Sequence, residues 1–133
     1  MAAASRTVLV VDDDEMLRNL LCRMLERLDR RVLLAANAES ALALFQHSEE
    51  RIDLVISDAR LSGMNGLMLA EELRLRDSAV AILLLSGSFD EPTGDFPELD
   101  KPFTLEALRE RIDEILEPAP QRAGDRSKVD SGA

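Results

Sequence analysis

Two hydrophobic periods alternate along the chain, and that alternation constrains the fold more than any other feature. Short continuous apolar runs at Thr7–Val11, Val32–Ala36, Ile52–Ser57 and Ala79–Leu85 read as strands buried on both faces. Between them, apolar residues recur at helical spacing. Leu17, Leu20, Leu21, Met24, Leu25 and Leu28 form one stripe, and Glu39–Phe45 and Leu67–Arg76 read as two further helices. A last helix presents Leu105, Leu108, Ile112, Ile115 and Leu116 on one face, with Thr104 placed as its N-cap. Strands alternating with helices predict an α/β fold, a parallel sheet covered on both faces. Ligands of such sheets sit at the carboxyl ends of the strands, so the residues closing each strand carry the chemistry.

The 133 residues suit one domain. Residues 1–5 read as an N-terminal extension and residues 6–116 as the folded body. From residue 117 to 133 the composition shifts to Pro, Gly, Ser and mutually cancelling charges, the pattern of a disordered tail or linker stump. A single cysteine, Cys22, excludes an internal disulfide and suits a reducing compartment. The longest apolar run, Ala79–Leu85, has seven residues, against the roughly 18 of a membrane span. A signal-peptide pattern is absent from the N-terminus. The expectation is a cytoplasmic protein with no membrane partner. A net charge of −10 with no Trp or Tyr argues against direct nucleic-acid binding.

The strand ends read as follows. The first strand runs into Asp12-Asp13-Asp14, the third closes on Asp58, the fourth is followed by Ser86, and Lys101-Pro102-Phe103 stands beyond the last loop. Taken singly, each is ordinary: a strand-end Asp is usually a turn former or cap, and Asp14 reads as the N-cap of the first helix. Together they are a carboxylate cluster with a hydroxyl and an ammonium. Packed carboxylates repel, and a hard divalent cation held by oxygen ligands and water relieves the repulsion, which suits Mg²⁺. Such a metal site beside a lysine and a hydroxyl is a receptacle for a phosphoryl group.

The segments VLVVDDD, DLVISDARLSGMNGL, AILLLSGS and DKPFTLEAL resemble the receiver domain of two-component response regulators, over Arg6–Leu116. The resemblance implies a flavodoxin-like receiver fold, a doubly wound five-stranded parallel sheet. It makes Asp58 the phospho-acceptor, Lys101 the phosphate-binding lysine and Ser86 the switch hydroxyl. The metal, Mg²⁺ with Mn²⁺ as a substitute, falls to Asp12, Asp13, Asp58 and the backbone carbonyl of Arg60, with Asp13 the more direct ligand. The implied donor is a histidine kinase or histidine phosphotransfer protein. The implied product is an aspartyl phosphate that switches binding to a downstream effector or serves as shuttle or sink. The chain is then a stand-alone receiver, monomeric or weakly dimeric, and no enzyme beyond its own phosphorylation and slow autodephosphorylation. The side chains of Arg60 and Ser88 would flank the path of the attacking water, Arg60 shielding the phosphoryl group.

Three features depart from the family pattern. Ser62 stands where a proline is usual, and Glu98 stands where an aromatic switch residue is usual. Only 14 residues, with two Pro, two Gly and no helical period, separate Ser86 from Lys101. The helix between the fourth and fifth strands, the fourth of the family, is therefore expected to be missing or much reduced. Leu99 and its neighbours would form a short last strand, and Phe89 or Phe96 would cover exposed core. The methionines at 16, 24, 64 and 68 read as core and loop fillers, and His47 as a surface residue.

Two other classes compete. A pseudo-receiver would dock a partner without phosphorylation. A haloacid dehalogenase-type phosphatase shares the Asp-x-Asp spacing of Asp12 and Asp14, but Met16 occupies a position where that family wants Thr or Val.

Overall fold

A computed structural model describes residues 6–61, 63–87 and 94–116. Five strands, β1 (Thr7–Val11), β2 (Arg31–Ala35), β3 (Leu54–Asp58), β4 (Ala81–Ser86) and β5 (Glu98–Asp100), form one sheet in the order β2-β1-β3-β4-β5. Every neighbouring pair is parallel. Four helices are described: α1 (Glu15–Arg27), α2 (Ala38–His47), α3 (Gly66–Arg76) and α4 (Leu105–Leu116).

The pleat sorts the strand residues into two cores. Leu9, Val11, Val55, Ile82 and Leu84 face Ala38 and Ala41 of α2 and Leu69, Ala70 and Leu73 of α3. Their neighbours Val8, Val10, Leu54, Ile56, Leu83 and Leu85 face Leu21 and Leu25 of α1 and Leu108 and Ile112 of α4. The sheet is thus doubly wound, and β1, β3 and all of β4 but its first residue are buried. Each fully buried Leu or Ile contributes about 1.5–3 kcal/mol, which is why these strands read as unbroken apolar runs.

The helix starts follow from side-chain caps. Asp14 accepts from the amides of Met16 and Leu17, Asn37 from Ser40, and Asn65 from Met68. At α4 the Thr104 hydroxyl accepts from the Ala107 amide at 3.0 Å, as its position predicts.

Among the described residues no helix lies between β4 and β5, and the reduction expected there falls largely on residues outside the described ones. Residues 88–93, with Ser88 and Phe89, fall outside the described residues, as do Ser62 and the two terminal segments. Phe96 is half-buried against the α2–α3 core, with the Arg74 guanidinium 5.4 Å from its ring centre. Leu99 lies in β5, as expected, and packs against the opposite core.

One reading of the apolar residues is corrected. Met16 is 82% exposed and Met68 50%, so neither fills the core, whereas Met24 and Met64 pack against it. Leu20 is also half outside at 49%. The buried line of α1 runs through Leu21 and Leu25, one turn apart, and Met16 and Leu20 are rotated away from it by the helical period.

Candidate functional site

Chain order along the sheet reverses between β1 and β3, since β1 leads outward to β2 before the chain returns to β3. Their carboxyl ends meet in register, Val11 beside Ser57, which brings Asp12 and Asp58 side by side one residue further on. Both are buried, Asp12 completely.

Asp58 is held from two directions. Its Oδ1 accepts the Arg60 backbone N–H at 2.9 Å, and its Oδ2 accepts from Lys101 Nζ at 3.0 Å. Lys101 reaches it because β5 ends beside β4: the Lys101 amide donates to the Ser86 carbonyl at 2.8 Å. Backbone bonds from Ala59 to the Leu85 carbonyl and from Gly66 to the Ala59 carbonyl fix the loop that follows β3. Gly66 is required by contact rather than by dihedral angle. A Cβ there would lie 2.3 Å from the Asp58 carbonyl oxygen and 2.9 Å from Ala59 Cα.

Asp12 has one satisfied oxygen and one that is not. Oδ1 accepts the Asp14 amide at 2.8 Å, while the buried Oδ2 has no hydrogen-bond partner among the described residues. Burial pushes its carboxyl up to about 6 from the usual 3.8, and the neighbouring Asp58 and Asp13 charges add to the rise, against the lowering effect of the Asp14 amide and Lys101. The Arg18 guanidinium donates to the Asp12 backbone carbonyl at 2.8 Å. Asp13 is exposed at the rim.

Among the described residues no three acidic, His or Cys side chains converge as a ready-made metal cage. The arrangement nevertheless fits a hard cation that keeps much of its water. A buried, unpartnered carboxylate oxygen beside a second carboxylate is the donor chemistry Mg²⁺ takes. Asp12, Asp58, rim Asp13 and the Arg60 carbonyl are the groups available to hold it.

Ser86, 4% exposed, closes β4. Its hydroxyl is engaged on β5, 3.2 Å from Glu98 Oε1 and 3.3 Å from Asp100 Oδ1. The structure therefore brings Asp12, Asp58, Lys101 and Ser86 to one edge of the sheet, with Arg60 adjoining through its backbone and an exposed side chain. His47 ends α2, away from this grouping in the fold. Sequence reasoning passed over Gly66, Arg18 and Asp100. Asp100 was the most accessible of these, since the strand period places it on the same face as Glu98, directly across from Ser86.

The family model for the response regulator receiver domain matches residues 8–113. The transcriptional regulatory protein AruR of Pseudomonas aeruginosa is 47% identical over 87 residues, 63% of this chain and 35% of that protein. The virulence sensor protein BvgS of Bordetella bronchiseptica is 34% identical over 140 aligned positions, 90% of this chain and 11% of that protein. The chain thus spans about a third or less of these curated relatives. Among solved structures, the Vibrio cholerae chemotaxis protein CheY4 superposes with a TM-score of 0.76 at 28% identity, covering 85% of this chain and 100% of that one. The signal receiver domain of an HD domain-containing protein from Pseudomonas fluorescens gives 0.77 at 27% identity, covering 85% of this chain and 95% of that one. A doubly wound sheet closing on Asp12, Asp58, Ser86 and Lys101, matched by the family along most of its length, makes this chain a member of the response regulator receiver domain family of two-component signalling.

Proposed function

We propose that the chain accepts a phosphoryl group on Asp58 from a phosphohistidine of a histidine kinase or histidine phosphotransfer protein, in a Mg²⁺-dependent reaction, and so switches its binding to an effector. The observation that carries this reading is the pairing of Asp58 with Lys101 beside the unpartnered oxygen of Asp12. Asp58 Oδ attacks phosphorus, the bond from phosphorus to the donor's imidazole nitrogen breaks, and the electron pair leaves with that nitrogen. Nothing is oxidised or reduced. Lys101 stands where it can move from the free carboxylate to a phosphoryl oxygen, supplying positive charge as negative charge gathers. The cation, when bound, offsets the remaining charge among Asp12, Asp58 and the phosphoryl oxygens. The Arg60 amide keeps Asp58 Oδ1 fixed, leaving the attacking carboxylate with one orientation.

The relatives support a signalling role of this kind, since they include a transcriptional regulatory protein and sensor proteins. No helix of the described residues is long and apolar enough to cross a membrane.

The test is intact-mass measurement after incubation with acetyl phosphate. A gain of one phosphoryl group that needs Mg²⁺ and disappears in Asp58→Asn is expected. Failure of the wild type to gain mass with Mg²⁺ present would favour docking without phosphorylation, and an adduct that survives Asp58→Asn would move the acceptor elsewhere.

A further inference from the structure

The Ser86 hydroxyl carries a single proton, and two carboxylates lie within reach of it. Glu98 Oε1 is 3.2 Å away and Asp100 Oδ1 3.3 Å, with Ser86 itself buried. The strand register makes this arrangement specific. Ser86 pairs with Asp100 and Leu84 with Glu98, so both acids rise on the face of β5 that Ser86 shares. The β5 backbone is tied down as well. The Arg111 guanidinium of α4 donates to the Glu98 carbonyl at 2.9 Å, and the Lys101 amide donates to the Ser86 carbonyl at 2.8 Å.

We propose that Glu98 is a positioning residue acting through Ser86: its carboxylate holds the hydroxyl on β5 in the resting protein, and a phosphoryl group on Asp58 must draw that hydroxyl away, which makes the β4–β5 edge a charge-operated latch. The inference rests on phosphorylation of Asp58 and adds a residue to it. Ser86 follows Leu85, the register partner of Asp58, so it stands at the same carboxyl end of the sheet, one strand over from the phospho-acceptor. A phosphoryl group is a strong acceptor carrying more than one negative charge near neutral pH. It competes for the one hydroxyl proton and at the same time repels the Glu98 and Asp100 carboxylates. Both effects push in one direction, breaking the bond from Ser86 to β5. Asp100 is fixed directly opposite Ser86 and immediately precedes Lys101. Glu98, on the longer side chain and two residues away, is the partner able to withdraw.

The test uses the whole chain, acetyl phosphate and Mg²⁺. In Glu98→Gln the latch loses its charge, and in Glu98→Ala it loses the acceptor. The rate of mass gain is expected to rise about threefold in the first and about tenfold in the second, within the range spanned by the net worth of an ordinary hydrogen bond. In a Ser86→Ala background the same substitutions at position 98 are expected to change the rate less than twofold, because the group they act through is gone. A purely structural role for Glu98 would instead give equal effects in both backgrounds, and that result overturns the proposal. As an independent readout, the ¹³C resonance of the Glu98 side-chain carboxyl should move on addition of acetyl phosphate in the wild type and stay in place in Ser86→Ala. A wild type that gains phosphate on Asp58 without shifting this resonance rejects the latch alone. A wild type that gains none rejects the phosphorylation reading and the latch with it.

Discussion

Lys101 Nζ lies 3.0 Å from Asp58 Oδ2, joining the end of β5 to the end of β3 across the intervening β4. The pair is unequal in its surroundings, since the Asp58 side chain is 9% exposed and that of Lys101 30%. A partly solvated ammonium on a flexible stem can follow an oxygen that moves, whereas the carboxylate is fixed by its backbone partner.

Replacing this ammonium should therefore cost rate rather than fold. Lys101→Ala is expected to slow phosphorylation of Asp58 by about 10²-fold or more, the effect of losing one preorganised charge donor. Circular dichroism should show an intact α/β spectrum. Unchanged phosphorylation kinetics in the variant would remove Lys101 from the chemistry.

Asp12 gives the protein a pH dependence of definite sign. Its carboxyl is raised to about 6 in the folded chain against 3.8 as the ordinary value. A carboxyl raised on folding stabilises the protein below the unfolded value, and that contribution is lost as pH climbs through about 6. The loss amounts to at most about 3 kcal/mol. Asp12→Asn is thus expected to raise Tm at pH 7.5 and to change it little at pH 4. Millimolar Mg²⁺ should raise the wild-type Tm at pH 7.5, and less so that of Asp12→Asn. Thermal melts at the two pH values, with and without the cation, decide both points.

Gly66 is limited by space. Because a Cβ would meet the Asp58 carbonyl oxygen at 2.3 Å, Gly66→Ala must push α3 away from the end of β3. A destabilisation of about 1–3 kcal/mol is expected in urea unfolding. Phosphorylation should slow as well, since the same shift moves Asp58 relative to Lys101. A variant as stable as the wild type would show that the loop yields at little cost.

Arg60 bears on the lifetime of the aspartyl phosphate. Its backbone serves Asp58, and its side chain is exposed beside the site. If the side chain lies across the approach of the attacking water, Arg60→Ala should lose phosphate about two- to tenfold faster at fixed Mg²⁺, because hydrolysis depends on where that water is placed. Equal or slower loss from the alanine variant counts against shielding.

Much of this protein was already written along the chain. Alternating apolar periods placed β1 on its observed residues and the other elements within a few positions, except β5, which was expected around Leu99 only from the family resemblance. The caps Asp14 and Thr104 were readable because a cap acts on amides two or three residues away. Asp58, Asp12, Lys101 and Ser86 were recognisable as strand-end polar residues, since parallel sheets gather such ends on one edge. Tertiary structure decided the rest. That Asp12 keeps one oxygen without a partner, that Glu98 and Asp100 both reach the Ser86 hydroxyl, and that Gly66 touches the Asp58 carbonyl depend on register between strands and on helix placement. Met16 and Leu20 turned outward for a related reason: periodicity marks an apolar stripe, and only the neighbouring sheet selects which part of it is covered. Local hydrogen bonds and periods are fixed by sequence separation, whereas contacts between distant segments exist only once the sheet has brought them together.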